Sequence, residues 1–120
     1  MNQQEMKKRT KDYARRIIKL CRALPNIPEG RRIGDQIFRA GTSVGANYRA
    51  ACRGRSKADF TSKLGIALEE ADESLYWLEI IFEIKLVEPD LLKSLMKEGN
   101  EIVAILVASI NTSKRSQVNK

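Results

Sequence analysis

"GTSVGANYRAACRGRS", residues 41–56, combines two demands that rarely share one helix. Glycine inside a helix costs on the order of 1 kcal/mol relative to alanine, so Gly41 and Gly45, four residues apart, need a return. The return that suits them is close approach of another backbone, from a neighbouring helix or from another subunit. At 100° per residue, Ile33, Ile37, Ala40, Val44, Tyr48 and Ala51 form an apolar stripe, and Arg39, Arg49 and Arg53 lie opposite it near Thr42 and Ala46. Gly34, Gly41, Gly45 and Cys52 share one flank. Gln36, Ser43 and Asn47 form a polar row on the other, either solvated or hydrogen-bonded so as to fix register.

Working outward, three breaks divide the 120 residues into four helical segments. "LPNIPEG" (Leu24–Gly30), with two prolines and a glycine, reads as a loop. "RGRSKAD" ends a helix near Gly54 and restarts one at Ser56, with Asp59 placed as in a capping box. "VEPD" stops a helix before Pro89, which suits the first turn of the next. The expected helices are about 3–24, 31–53, 57–86 and 89–112, followed by a frayed basic tail over 113–120. The first buries Tyr13, Ile17, Leu20 and Leu24 and turns Lys8, Lys11, Arg15, Lys19 and Arg22 outward. The third carries Phe60, Leu64, Ala67, Ala71, Leu75, Leu78 and Phe82. The fourth has a broad apolar face with Leu91, Leu95, Ile102, Ile105, Leu106 and Ser109. Short connections make neighbours antiparallel, so the expected fold is an all-α, up-down four-helix bundle in one domain.

The third segment has a second apolar line, Ile66, Trp77, Ile80 and Ile84, beside Glu70 and Glu73. A monomeric bundle would have no use for such a surface, which points to self-association. One geometry sets the arginines of helix 2 in one subunit against Glu70 and Glu73 of the next and closes into a ring. In that case Gln36, Arg39, Ser43 and Asn47 belong to the subunit interface.

Composition bounds the remaining classes. Hydrophobic residues are 42% and charged residues 31%, a globular balance, with only seven aromatics (one Trp, three Tyr, three Phe) and no alternating β-branched runs. No apolar run reaches bilayer length and the first residues lack the core of a secretion signal, so the cytoplasm is expected. Cys21 and Cys52 stand alone, with no histidine in the chain to complete a metal or catalytic site. Charge is unevenly placed. Residues 1–57 hold 15 Lys/Arg against 4 Asp/Glu, residues 58–112 hold 4 against 11, and the last eight add three cations. Either the halves pair with each other or the basic helices face a polyanion.

Residues Asp35–Glu79 strongly resemble the 23S rRNA intervening-sequence protein family. The framework Gln36, Arg39, Ser43, Asn47 matches its helix 2, Arg55–Lys57 with Asp59 and Phe60 match its start of helix 3, and Glu69, Glu70 and Glu73 match its Glu-rich middle. The resemblance extends over nearly the whole chain. It implies an antiparallel four-helix bundle, assembly into a barrel-like homopentamer and no established enzymatic activity. It also implies kinship with the retroelement accessory variability protein, which binds nucleic acid and a reverse transcriptase. The chain departs from the family at Asn47-Tyr48-Arg49-Ala50-Ala51, where many members read Asn-Ile-Ala-Glu-Gly. The glutamate is missing and Arg49 adds a positive charge.

Three functions compete. A nucleic-acid-binding accessory protein, with RNA or an RNA–protein complex favoured, would place Lys8, Lys11, Arg15, Lys19, Arg22, Arg39, Arg49, Arg53 and Arg55 on phosphates. No zinc finger, RNA-recognition aromatics or helix-turn-helix signature is present to read bases. A protein-interaction module would dock the same cations on an acidic partner such as a polymerase or reverse transcriptase. An enzyme lacks its parts: di-metal bundles need Glu-x-x-His pairs, no relay exists without histidine, and "GTSVGAN" lacks the Gly-Lys-Ser/Thr ending of a phosphate loop. No catalytic residue, metal or cofactor is expected. Whether the arginines of helix 2 face a ligand or a neighbouring subunit stays open at this point.

Overall fold

The computed structural model describes residues 1–118, which form four α-helices: α1 (Gln3–Ala23), α2 (Pro28–Cys52), α3 (Lys57–Glu83) and α4 (Asp90–Val118). No strand occurs among the described residues. The helices run up and down along a rod of 53 × 21 × 20 Å, each against its chain neighbours, with α1 and α4 meeting more loosely.

Local chemistry sets most of the ends. Asn2 accepts the Glu5 N–H at 2.8 Å while its amide donates to Glu5 Oε1 at 2.8 Å, a reciprocal cap on α1. Ser56 Oγ accepts the Asp59 N–H at 3.1 Å, and Asp59 in turn accepts the Arg55 N–H at 3.2 Å. The Lys63 ammonium and that Arg55 N–H hold the Asp59 carboxyl below its ordinary range.

Three boundaries differ from expectation. α2 begins at Pro28, inside the segment read as loop, because a proline at the first helical position needs no N–H donor. α3 ends at Glu83, short of 86. Lys85 adopts φ 56°, and the Leu86 N–H reaches back to Ile81 O at 3.1 Å while Lys85 N–H reaches Phe82 O at 3.2 Å. These bonds make a Schellman stop with lysine where glycine is usual. The supposed frayed tail is helix as far as Val118, and Asn119 and Lys120 lie outside the described residues. It holds because Ser113 exchanges a hydrogen bond with Thr61 at 2.5 Å and Ser116 accepts one from Lys57, pinning the end of α4 to the start of α3.

Tyr13, Ile17, Ile37, Val44, Leu64, Leu78, Ile102 and Leu106 fill the core as expected, joined by Met6, Ile81 and Leu92. On α4 the buried stripe is rotated slightly from the expected face. Leu92 is fully buried and Leu91 is 59% exposed. The glycine flank faces α1. A Cβ on Gly41 would lie 2.7 Å from Ile17 Cγ1, and one on Gly45 would lie 3.1 Å from Thr10 Oγ1. The close backbone is therefore the neighbouring helix. Thr10, fully buried in this seam, donates its hydroxyl to Met6 O at 2.9 Å.

Candidate nucleic-acid interface

The seam that brings α1 and α2 together also gathers their cations. Lys7, Lys8, Lys11 and Arg15 of α1, Arg49 of α2 and Arg53 just past its end line one open groove of about 520 Å³, with Gln4 and Asp12. A smaller cleft of about 150 Å³ continues it over Ala14, Thr42, Gly45 and Ala46. Neutral, small side chains thus form a floor between two rows of positive charge. Among the described residues, Lys7, Lys8, Lys11, Arg49 and Arg53 take no part in an ion pair. Asp12, the single carboxylate of the lining, lies 3.3 Å from Arg15 Nη1. Exposed charges without partners are the condition for attracting phosphate.

The other basic residues separate from this groove for stated reasons. Arg39 points to the α3 side, where its Nη1 lies 3.1 Å from Glu70 and its Nη2 2.5 Å from Glu73. The two carboxylates hold its guanidinium above its ordinary pKa. The pairing imagined between subunits is made inside one chain, and it sets Arg39 apart from the groove cations. Lys19 is exposed beside a different cleft between α1 and α4, shared with Arg16, Leu20, Leu91 and Leu95. Arg22 is exposed at the end of α1 and Arg55 in the connection before α3.

Two cations of α1 are tied to α4. Arg9 meets Glu98 at 2.6 Å and Glu101 at 3.0 Å, pairings that raise its pKa, and Arg16 donates to Ser94 at 2.9 Å. Lys7, by contrast, belongs to the groove and was absent from the sequence-derived set. Its signal was the four-residue step to Lys11 along the flank facing α2.

The candidate subunit surface divides as well. Ile66 and Tyr76 on α3 and Ile84 just past its end are 45%, 54% and 50% exposed, Tyr76 being an addition to the expected line. Trp77, expected on the surface, is half-buried against the core, edge-on to Tyr76 at 5.1 Å. Its Nε1 is buried with no hydrogen-bond partner among the described residues. Ile80 is also half-buried. Of the polar row on α2, Ser43 donates to Arg39 O at 2.5 Å and Asn47 to Ser43 O at 2.8 Å, while Gln36 is exposed. These bonds stay within α2.

Among the described residues no group of three or more His, Cys, Asp or Glu is arranged to hold a metal ion. Cys21 and Cys52 are half-buried free thiols, and burial raises the pKa of Cys21. No described helix is long and apolar enough to cross a membrane.

A family model described as "23S rRNA-intervening sequence protein" matches residues 2–108. Among solved structures, the chain is similar to a protein of unknown function from the S23 ribosomal protein family of Bacteroides thetaiotaomicron VPI-5482. That structure was determined at 1.70 Å, with 37% identity, a TM-score of 0.82, and coverage of 88% of this chain and 97% of that one. No curated protein matches.

Proposed function

The chain belongs to the 23S rRNA-intervening sequence protein family, and from that premise we propose that it is a non-enzymatic, oligomeric nucleic-acid-binding accessory or scaffold protein of the cytoplasm. RNA or an RNA–protein complex is its favoured target. One observation carries this reading. Six cations from α1 and from the end of α2 with its cap residue share a groove in which, among the described residues, the only carboxylate is Asp12. Such a groove suits phosphates, whose binding releases counterions and is sequence-neutral. The exposed apolar residues on and just past α3, Ile66, Tyr76 and Ile84, support self-association, for which a homopentamer is the proposed form. Five copies would repeat the groove around a ring and multiply weak contacts. The same apolar residues favour a second reading, in which the chain docks a protein partner such as a reverse transcriptase or polymerase.

Light scattering followed by RNA and DNA titrations at increasing salt tests both. A mass of five times 13.6 kDa with affinity that collapses as salt rises is the expected result. An oligomer that ignores both nucleic acids at low salt transfers the case to the protein-docking reading. A monomer removes the self-association.

A further inference from the structure

Resting on that reading, we propose that the α1/α2 groove receives the backbone of a double-stranded nucleic acid and not a single strand. Proteins that hold single strands gain about 1–3 kcal/mol per base by stacking bases on aromatic rings. No aromatic side chain lines the groove or its continuation. The seven aromatics of the chain are spent elsewhere. Tyr13 and Tyr48 are core, Phe82 packs against it, and Phe60 lines a separate cleft between Tyr48 and Ile105. Phe38, exposed on α2 one turn before Thr42, lines a different cleft with Pro25 and Asn26 of the α1–α2 loop, and Tyr76 and Trp77 are on α3.

The floor gives a base nothing to rest on either. Ala14, Gly45 and Ala46 carry no group that could insert between bases or read an edge, and the Thr42 hydroxyl is already given to Phe38 O at 2.7 Å. What the groove offers is charge on both sides of a shallow, neutral strip. A backbone ridge with phosphates facing the strip is the shape that uses both rows.

Dimensions point the same way. Two packed helices are about 20 Å across, too wide to enter a major groove of about 12 Å, so this face lies over the backbone and reads no sequence. From Lys8 to Arg15 the α1 row covers about 10 Å of straight, rigid helix at 1.5 Å per residue. A duplex is stiff over about 50 nm and presents one charge per ~1.7 Å, so it meets such a row without being straightened. A single strand would lose its freedom for half the charge density and no stacking.

The test is fluorescence anisotropy on the full chain with an unstructured 20-nucleotide RNA, the same RNA as a duplex, and the matching DNA strand and duplex, at several salt concentrations. The expected result is at least tenfold tighter binding of a duplex than of its own single strand. An Arg49→Ala/Arg53→Ala double variant of unchanged helix content should erase that lead. Whichever duplex binds tighter identifies the source of the backbone, and a lead for either supports the proposal. Single strands bound as tightly as duplexes overturn it while leaving nucleic-acid binding standing. No binding of any of the four at low salt overturns both this proposal and the reading beneath it.

Discussion

The Tyr13 hydroxyl donates to Ser74 Oγ at 2.8 Å across the buried middle of the bundle, because the only hydrogen of Ser74 is already given to Ala71 O at 2.7 Å. Gly99 leaves the room: a Cβ there would lie 3.0 Å from the Tyr13 oxygen. The pair joins α1 to α3, the helix diagonally opposite.

Its two halves should therefore fail unequally. Tyr13→Phe leaves Ser74 bonded to the backbone and should cost about 1 kcal/mol, whereas Ser74→Ala strands a buried hydroxyl and should cost up to about 3 kcal/mol. Urea unfolding measures both, and equal costs would contradict this assignment of the donor.

The same tyrosine predicts alkaline sensitivity. Burial pushes the Tyr13 phenol up to about 12 from an ordinary 10.0. The folded state then holds a proton that the unfolded state releases first, so this contribution is complete below pH 10 and is lost as pH rises towards 12. Tyr48, also raised by burial, acts in the same direction. Stability measured from pH 9 to 12 should fall less steeply in Tyr13→Phe than in the native chain.

Two glycines should answer opposite ways to alanine. Gly65, in α3, has nothing within 4 Å of a new Cβ, so Gly65→Ala should stabilise by about 0.5–1 kcal/mol. Gly41→Ala should destabilise by about 1–3 kcal/mol, since the methyl group meets the Ile17 side chain at 2.7–3.0 Å. Thermal or urea melts of the two variants decide it.

Lys85 occupies the left-handed position of the Schellman stop after α3. Lys85→Gly should raise stability by about 1 kcal/mol, because glycine adopts that conformation without a steric penalty. An unchanged or lowered midpoint would show that lysine makes a compensating contact.

Arg39 and Arg49 lie on the same helix but have different surroundings. If phosphates occupy the groove, Arg49→Ala should reduce the slope of log K against log salt by about 0.9 and Arg39→Ala should leave it unchanged. Equal losses would mean that Arg39 leaves Glu70 and Glu73 for the ligand.

Fold class, helix number and most of the core followed from period and punctuation, because Tyr13, Ile17, Ile37, Val44 and Leu64 repeat at helical spacing and proline and glycine mark the breaks. The candidate site was legible only as a list. Seven of its nine cations lie on helix faces read correctly as exposed, yet nothing along one helix says which neighbour it meets. Arg39 and Arg49 differ by about 80° on the wheel of α2, enough to send one to the glutamates of α3 and the other to the lysines of α1. The tail beyond Thr112 was missed because Ser, Lys, Arg and Gln give no apolar period. It is helical through Ser113 and Ser116, hydroxyls whose partners on α3 no local pattern announces.

Gly45 faces Thr10 at the packed seam and also forms part of the floor beneath Lys7, Lys11 and Arg49. One missing side chain thus sets the gauge of a pair of rails. Widening it by a methyl group would respace the charged rows without altering a single charge. In this protein the spacing of the proposed phosphate track is held by its smallest residues, and a variant there would bind differently while keeping every cation it began with.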